Sequence, residues 1–363
     1  MRSVVRLAAY VPAGSLGGLR IGAFDEDTFT LGATAVERAW GERDSPSESV
    51  EVHLFGEYPK MAEWGFPALL GREAKVLRHP GDAGELARTL QELEESSGGP
   101  AILVAAELPE RTSGRPGHSS SPVGAAAVAF LLEHSSAARP FPLEKGGTNR
   151  SAADVAFHRA KRREARLKPS AYVGDWDAAP ADGRPVNADL ARHAADWDIS
   201  AVSEGAYVPR ARYLENLPSR WRFVAEECDN CHEVTFPARG TCQRCRRRDG
   251  LAPLLLPKDG GRVVAVTTIG KGGQPTEFDP QVESSGPYQV ALVELANGIR
   301  TTLQVTDATA GEVRVGDVVN TLLRRLYPME GEWRYGRKAV PTLMGKAERD
   351  EPSVDGRPNS ETS

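Results

Sequence analysis

Cysteine is scarce and confined: the 363-residue chain has four, and all of them fall between positions 228 and 245. That excludes a disulfide-stapled secreted fold, whose cysteines spread across the chain, and it leaves no thiol to act as a nucleophile anywhere else. No stretch approaches the roughly 20 consecutive apolar residues of a membrane-spanning helix. The opening MRSVVRLAAYVPAG has a short apolar run but no secretory h-region followed by a small-residue cleavage site, so it reads as a first β-strand of a cytoplasmic protein. A basic excess is also missing. With 45 Lys plus Arg against 50 Asp plus Glu, the net charge is −5, and a chain-wide attraction to nucleic acid or to an anionic membrane is not expected.

What is present is ordinary globular material, 40% hydrophobic and 26% charged, enough for two or three domains at this length. Residues 1–135 read as α/β. Strands are expected over 3–9, 50–55 and 101–106, a helix over 27–40 capped by Asp27 or Thr28, and a second helix that puts Leu86, Leu90 and Leu93 on one face. Residues 123–132 form a continuous small-apolar run, helix or buried strand. Alternating strands and helices imply a mostly parallel, covered sheet. Residues 136–204 have few long apolar runs and a charged stretch at 160–168; they read as a partly helical connection, with Trp176 and Trp197 packing somewhere.

A different pattern begins near 205. Residues 205–250 hold a short helix, RYLENLPSRWRF, running into a strand and then into the cysteine segment. Residues 251–345 turn to strands over 261–270, 288–295, 298–306 and 318–326, separated by turns such as Asn297-Gly298. This spacing predicts a small closed or nearly closed antiparallel barrel. Residues 346–363 have almost no apolar content and are expected to be disordered.

The cysteines are spaced Cys228-x2-Cys231, ten residues, Cys242-x2-Cys245. Each Cys-x-x-Cys turn brings two sulfurs to one side of a knuckle, and two knuckles supply the four thiolates of a closed tetrahedral zinc site. His232 adjoins Cys231, but with four cysteines present it reads as a surface residue. Two disulfides or a redox pair would be the other use of such pairs, and the doubled spacing argues against both. Around the site lie Arg239, Arg244, Arg246, Arg247 and Arg248, a cluster that can meet phosphates or simply stay solvated beside Glu226, Glu227 and Asp249. A ribbon followed by a barrel also suits single-stranded nucleic acid, but Tyr288, Tyr327, Trp333 and Tyr335 lie mostly outside the strand centres, which disfavours a stacking platform.

Residues 208–340, with Trp221, the CDNC…FPARGTCQRC ribbon, PYQVALVELANGIR and VRVGDVV in order, resemble the zinc-ribbon/OB-fold proteins associated with acyl-CoA enzymes, a domain of unknown function found with thiolases. The resemblance implies a helix, a rubredoxin-like zinc ribbon and an OB-fold barrel. It also implies a hetero-oligomeric partnership with a thiolase-superfamily or hydratase subunit and a role in binding or channelling CoA thioesters. Residues 1–135 resemble a reduced archaeal-type hydroxymethylglutaryl-CoA synthase of thiolase fold, through VVRLAAYVP, FDEDTFTLGATAVERA and SGRPGHSSSPVGAAAVAFLLE. That family needs a nucleophilic cysteine between the early helix and the Gly-Arg-Pro-Gly loop, and residues 41–112 have none. Ser113, Ser119, Ser120 and His118 are poor substitutes. The chain is also too short for the second thiolase half.

The expectation is therefore a multidomain α/β plus β protein: a degenerate, non-catalytic thiolase-like domain, then a zinc ribbon and an OB barrel. It binds Zn2+ through Cys228, Cys231, Cys242 and Cys245, and a coenzyme A thioester through the five arginines. It serves as an accessory subunit of a thiolase or hydroxymethylglutaryl-CoA synthase-type enzyme, with no contact to membrane or nucleic acid. The alternatives are a nucleic-acid-binding ribbon/OB protein and an acyltransferase in its own right.

Overall fold

The computed structural model describes residues 1–16, 19–21, 25–41, 49–108, 125–134, 141, 152–153, 156, 171–176, 184–185, 208–272, 278–295 and 298–342. The Gly-Arg-Pro-Gly loop with Ser113, His118, Ser119 and Ser120, the charged stretch 160–168, Trp197, Asn297 and the tail 346–363 lie outside them. The chain divides into two compact units, residues 1–256 with 270–287 and 323–337, and residues 257–269 with 288–322 and 338–363.

In the first unit, β1 (Arg2–Tyr10) is followed by the short strands β2 (Gly14–Leu16) and β3 (Leu19–Ile21), then α1 (Thr28–Trp40), β4 (Val50–Phe55), α2 (Ala62–Leu70), β5 (Ala74–His79), α3 (Ala83–Glu95), β6 (Ala101–Glu107), β7 (Ala126–His134), β8 (Tyr172–Gly174) and β9 (Arg184–Pro185). Six of these strands make one sheet in the order β5-β4-β6-β7-β1-β8. β4 runs parallel to β5 and β6, and β1 parallel to β8, while β7 is antiparallel to both its neighbours. The ambiguous small-apolar run is thus a strand, and it reverses the sheet locally. Its first seven residues, AAVAFLL, are all buried, which is why the sequence shows a continuous run rather than an alternation.

Helix α1 starts where Asp27 predicts. The Asp27 carboxylate accepts from the Thr30 backbone N–H at 2.8 Å, and the Thr30 hydroxyl accepts from the Asp27 N–H at 2.9 Å, closing a capping box. Ten of its 13 residues are buried, as its nearly all-round apolar sequence requires. α3 presents Leu86, Leu90 and Leu93 to a core shared with Leu7, Phe55, Leu103 and Phe130, and Trp176 joins the same core.

Sequence periodicity does not reveal α2 or β5. Pro67 lies inside α2, and no residue of β5 is fully buried, with the exposed Lys75 and Arg78 interrupting its half-buried apolar residues.

The first unit continues through α4 (Arg210–Glu215), α5 (Leu217–Arg222) and the three-stranded ribbon sheet of β10 (Val224–Cys228), β11 (Val234–Thr235) and β12 (Leu251–Leu255), in the order β11-β10-β12. It also takes in α6 (Asp279–Ser285) and residues 323–337, the far end of the hairpin formed by β16 (Val318–Met329) and β17 (Glu332–Pro341).

The second unit is built on β13 (Gly261–Ile269), β14 (Tyr288–Glu294) and β15 (Arg300–Gln304), with the first residues of β16 and the last of β17. β14 pairs antiparallel with both β13 and β15, and β13 meets β16 at Gly261↔Val319. A Val305↔Ala339 bridge returns β15 to β17, so the sheet closes as the expected barrel. The buried Gln289 amide fixes the following loop, accepting from Val313 N at 3.0 Å and donating to Val313 O at 2.9 Å.

Candidate metal centre

The two Cys-x-x-Cys turns have the same backbone geometry. In the first, His232 N donates to Cys228 O at 2.8 Å and Cys228 N to Glu233 O at 3.1 Å. In the second, Arg246 N donates to Cys242 O at 3.1 Å and Cys242 N to Arg247 O at 2.8 Å. The residue after each second cysteine is left-handed, His232 at φ 56° and Arg246 at φ 65°, which turns each knuckle back on itself. β10 carries Cys228 into the first knuckle through pairing with β11 and β12.

All four sulfurs lie within 4.8 Å of one another. Cys228 and Cys245 approach to 3.6 Å, Cys231 and Cys242 to 3.5 Å. Zinc bonded to four thiolates at about 2.3 Å would hold them about 3.8 Å apart, so the cluster fits such an ion. Cys228 and Cys242 are buried, Cys231 and Cys245 half-buried, and all four are free thiols. The backbone N–H of Arg247 holds the Cys245 thiol down at about 6 against burial, while, despite the hydrogen bond from the Glu233 backbone, burial and the neighbouring thiols push the Cys231 thiol up to about 12. An ion held by all four sulfurs would have no tetrahedral position left for a substrate.

His232 is no fifth ligand. Its side chain is 78% exposed, with Nδ1 3.5 Å from Glu227. Four of the five ribbon arginines surround the second knuckle, and Arg239 leads into it. Arg247 is committed: it pairs with Asp249 at 2.9 Å and lies 4.0 Å from Asp229. Arg239, Arg244, Arg246 and Arg248 are exposed, and no ion pair among the described residues holds their side chains. The Glu226 carboxylate instead accepts from the backbone N–H groups of Arg239 and Gly240 at 2.9 and 2.8 Å, shaping the loop.

A second, buried cluster of ionisable residues in the first unit escapes sequence reasoning. Arg324 donates to Tyr10 Oη at 2.6 Å and to Glu26 at 2.9 Å, and the Tyr10 hydroxyl donates to the same carboxylate. Arg324 and Glu26 are fully buried. Arg337 pairs with Glu37 of α1 and donates to the Trp221 carbonyl. Trp221 Nε1 donates to Tyr335 O at 2.9 Å, and Tyr213 exchanges hydrogen bonds with the Tyr335 backbone. No spacing rule joins residues 300 positions apart.

A four-cysteine ribbon followed by a closed five-stranded barrel defines the class. The ChsH2 C-terminal OB-fold domain family matches residues 256–323. A DUF35 domain-containing scaffold protein of Methanothermobacter thermautotrophicus is 31% identical over 132 residues, 36% of this chain and 94% of that one. Another from Methanocaldococcus jannaschii is 30% identical over 132 residues, 36% of this chain and 89% of the relative. The chain belongs to the DUF35 domain-containing family. Among solved structures, an Ltp2-ChsH2(DUF35) aldolase chain is 21% identical, covering 38% of this chain and 98% of that one at TM-score 0.28. The hydroxymethylglutaryl synthase of the curacin pathway is 17% identical, covering 36% and 41% at TM-score 0.28. Among the described residues no helix is long and apolar enough to cross a membrane.

Proposed function

We propose that this protein is a zinc-stabilised, non-catalytic accessory subunit that scaffolds a thiolase-superfamily enzyme and helps present its acyl-CoA thioester. The observation that carries the reading is the sulfur cluster: every thiol of the chain is drawn into one four-sulfur site, so a thioester-forming nucleophile must come from another subunit. Membership of a family whose curated relatives are named scaffold proteins supports the same reading. In this proposal residues 1–135 are a degenerate thiolase-like domain, 136–204 a connection, 205–250 the ribbon, 251–345 the OB barrel and 346–363 a tail, and the protein acts in the cytoplasm.

The ribbon arginines are proposed to receive the phosphates of coenzyme A. Guanidinium groups bind phosphate oxygens in a two-pronged fork, and among the described residues no carboxylate neutralises Arg239, Arg244, Arg246 or Arg248. Removing charge at Arg246, Arg247 and Arg248 separates the uses. Loss of CoA-thioester binding with the partner retained supports the phosphate role. Loss of the partner assigns these residues to the interface, and no change in either ends the proposal.

Affinity purification of the full chain from its own host tests the scaffold reading. A thiolase-superfamily subunit recovered in stoichiometric amount supports it. Nucleic acid absorbing at 260 nm in place of such a subunit overturns it in favour of a nucleic-acid-binding ribbon.

A further inference from the structure

Helix α1 lies with one side on β1, β6 and β7. Its other side is covered by α2 and by residues from far along the chain. Phe29 packs against Trp221 at 5.9 Å and edge-on against Tyr335 at 5.3 Å between ring centroids. Trp64 of α2 stacks on Trp221 at 5.7 Å. Glu37 receives the Arg337 guanidinium, and Asp27 accepts from the Tyr335 hydroxyl at 2.8 Å. Aromatic rings at the centre, flanked by an arginine–carboxylate pair and a tyrosine–carboxylate hydrogen bond, are the composition of a docking interface between proteins, here within one chain.

The archaeal relatives sharpen the comparison. The 132-residue match fills 94% of the Methanothermobacter thermautotrophicus protein, which leaves it no room for an α/β lobe of this kind. In a chain built of the ribbon–barrel module alone, the face formed by α4, α5 and the 323–337 hairpin has no intramolecular cover.

We propose that this face is a docking interface closed in cis. The α/β lobe occupies it as a separate subunit would, and when the cis contact is weakened the partner it takes is the α/β lobe of a second copy of the chain. Chemistry selects that partner: an apolar α1 surface around Phe29, flanked by the Asp27 and Glu37 carboxylates that Tyr335 and Arg337 address.

Complementary charge reversals in the full-length chain test this. Glu37→Arg puts two cations at the contact, and Arg337→Glu puts two carboxylates there. If two such chains exchange lobes, both contacts are repaired at once. The lobe carrying Glu37→Arg then meets the face carrying Arg337→Glu, and the native lobe of one chain meets the native face of the other. The bond from Arg337 to the Trp221 carbonyl is lost in both states of the second variant and cancels. The expected result, read by native mass spectrometry, is a one-to-one mixed species enriched about tenfold over that in a mixture of two isotopically distinguished native chains. Folded variants that mix no more than the native chains overturn the proposal. Should either variant not fold alone, the two are refolded together: soluble mixed species recovered only from the mixture supports exchange, and failure of the mixture as well overturns it. No catalytic partner enters the experiment, so its outcome is independent of the scaffold reading.

Discussion

The phenolic oxygen of Tyr335 donates to one carboxylate oxygen of Asp27 at 2.8 Å, while the other carboxylate oxygen of Asp27 accepts from Thr30 N and caps helix α1. One side chain therefore both starts the helix and anchors the hairpin. Tyr335→Phe should keep the cap but remove a hydrogen bond to the half-buried Asp27 carboxylate, costing about 1.5–3 kcal/mol as a bond to a charged group. Asp27→Ala should lose the cap as well, adding about 0.5–2 kcal/mol. Guanidinium denaturation of both variants checks the order; equal losses would contradict the double role.

Arg324 and Glu26 form a fully buried pair with Tyr10 as third member. Glu26→Gln should destabilise by about 1–3 kcal/mol, because it leaves the buried Arg324 guanidinium to the more distant Asp25 carboxylate, at 3.9 Å, in place of its 2.9 Å partner. The triple variant Asp25→Asn, Glu26→Leu and Arg324→Met, which removes both carboxylates together with the cation, should recover much of that loss. If the triple variant loses more than the single, the cluster contributes net stability beyond its own desolvation.

Two groups give opposite pH responses. Burial first, and then the neighbouring His79, hold His53 down at about 4. The unfolded chain takes up that proton near 6.5, so this contribution is present above pH 6.5 and is lost as pH falls from 6.5 toward 4. Glu94 is pushed up to about 7, mainly by burial, against the 2.7 Å hydrogen bond it accepts from Phe141 N. Stability tied to its protonated form is complete below 4.5 and is lost as pH rises through 7. Glu94→Gln should therefore be the more stable protein at pH 8 relative to native, and His53→Leu should flatten the acid limb. Thermal unfolding from pH 4 to 8 checks both slopes.

The metal ligands and several elements are legible in the sequence because they rest on local rules. Two Cys-x-x-Cys pairs, an aspartate ahead of an apolar run, and leucines at helical spacing need no tertiary context. β17 is hidden because Glu332, Arg334, Arg337 and Lys338 make it read as a polar loop, yet Arg334, Arg337 and Lys338 are buried. Arg337 is neutralised by Glu37, a partner 300 residues away that no periodicity indicates. The run at 123–132 is ambiguous because a strand buried on both faces shows no alternation. The sequence places five arginines near the ribbon, but only the fold shows that Arg247 is engaged by Asp249 and that the other four lack carboxylate partners among the described residues.

Cys228→Ser should release the metal and unfold the ribbon while the α/β core around Leu7, Leu90 and Phe130 persists, because metal binding supplies folding free energy to such a small ribbon. Elemental analysis should find one zinc per native chain and none in the variant. Metal-free native protein with an intact ribbon would contradict the assignment.

The most direct test of an accessory, non-catalytic role is a thioester assay on the purified, metal-loaded chain alone, with condensation and cleavage of acyl-CoA followed by loss of the thioester. The account predicts no turnover above the uncatalysed rate without a partner subunit. Robust condensation or cleavage by the isolated chain would contradict it.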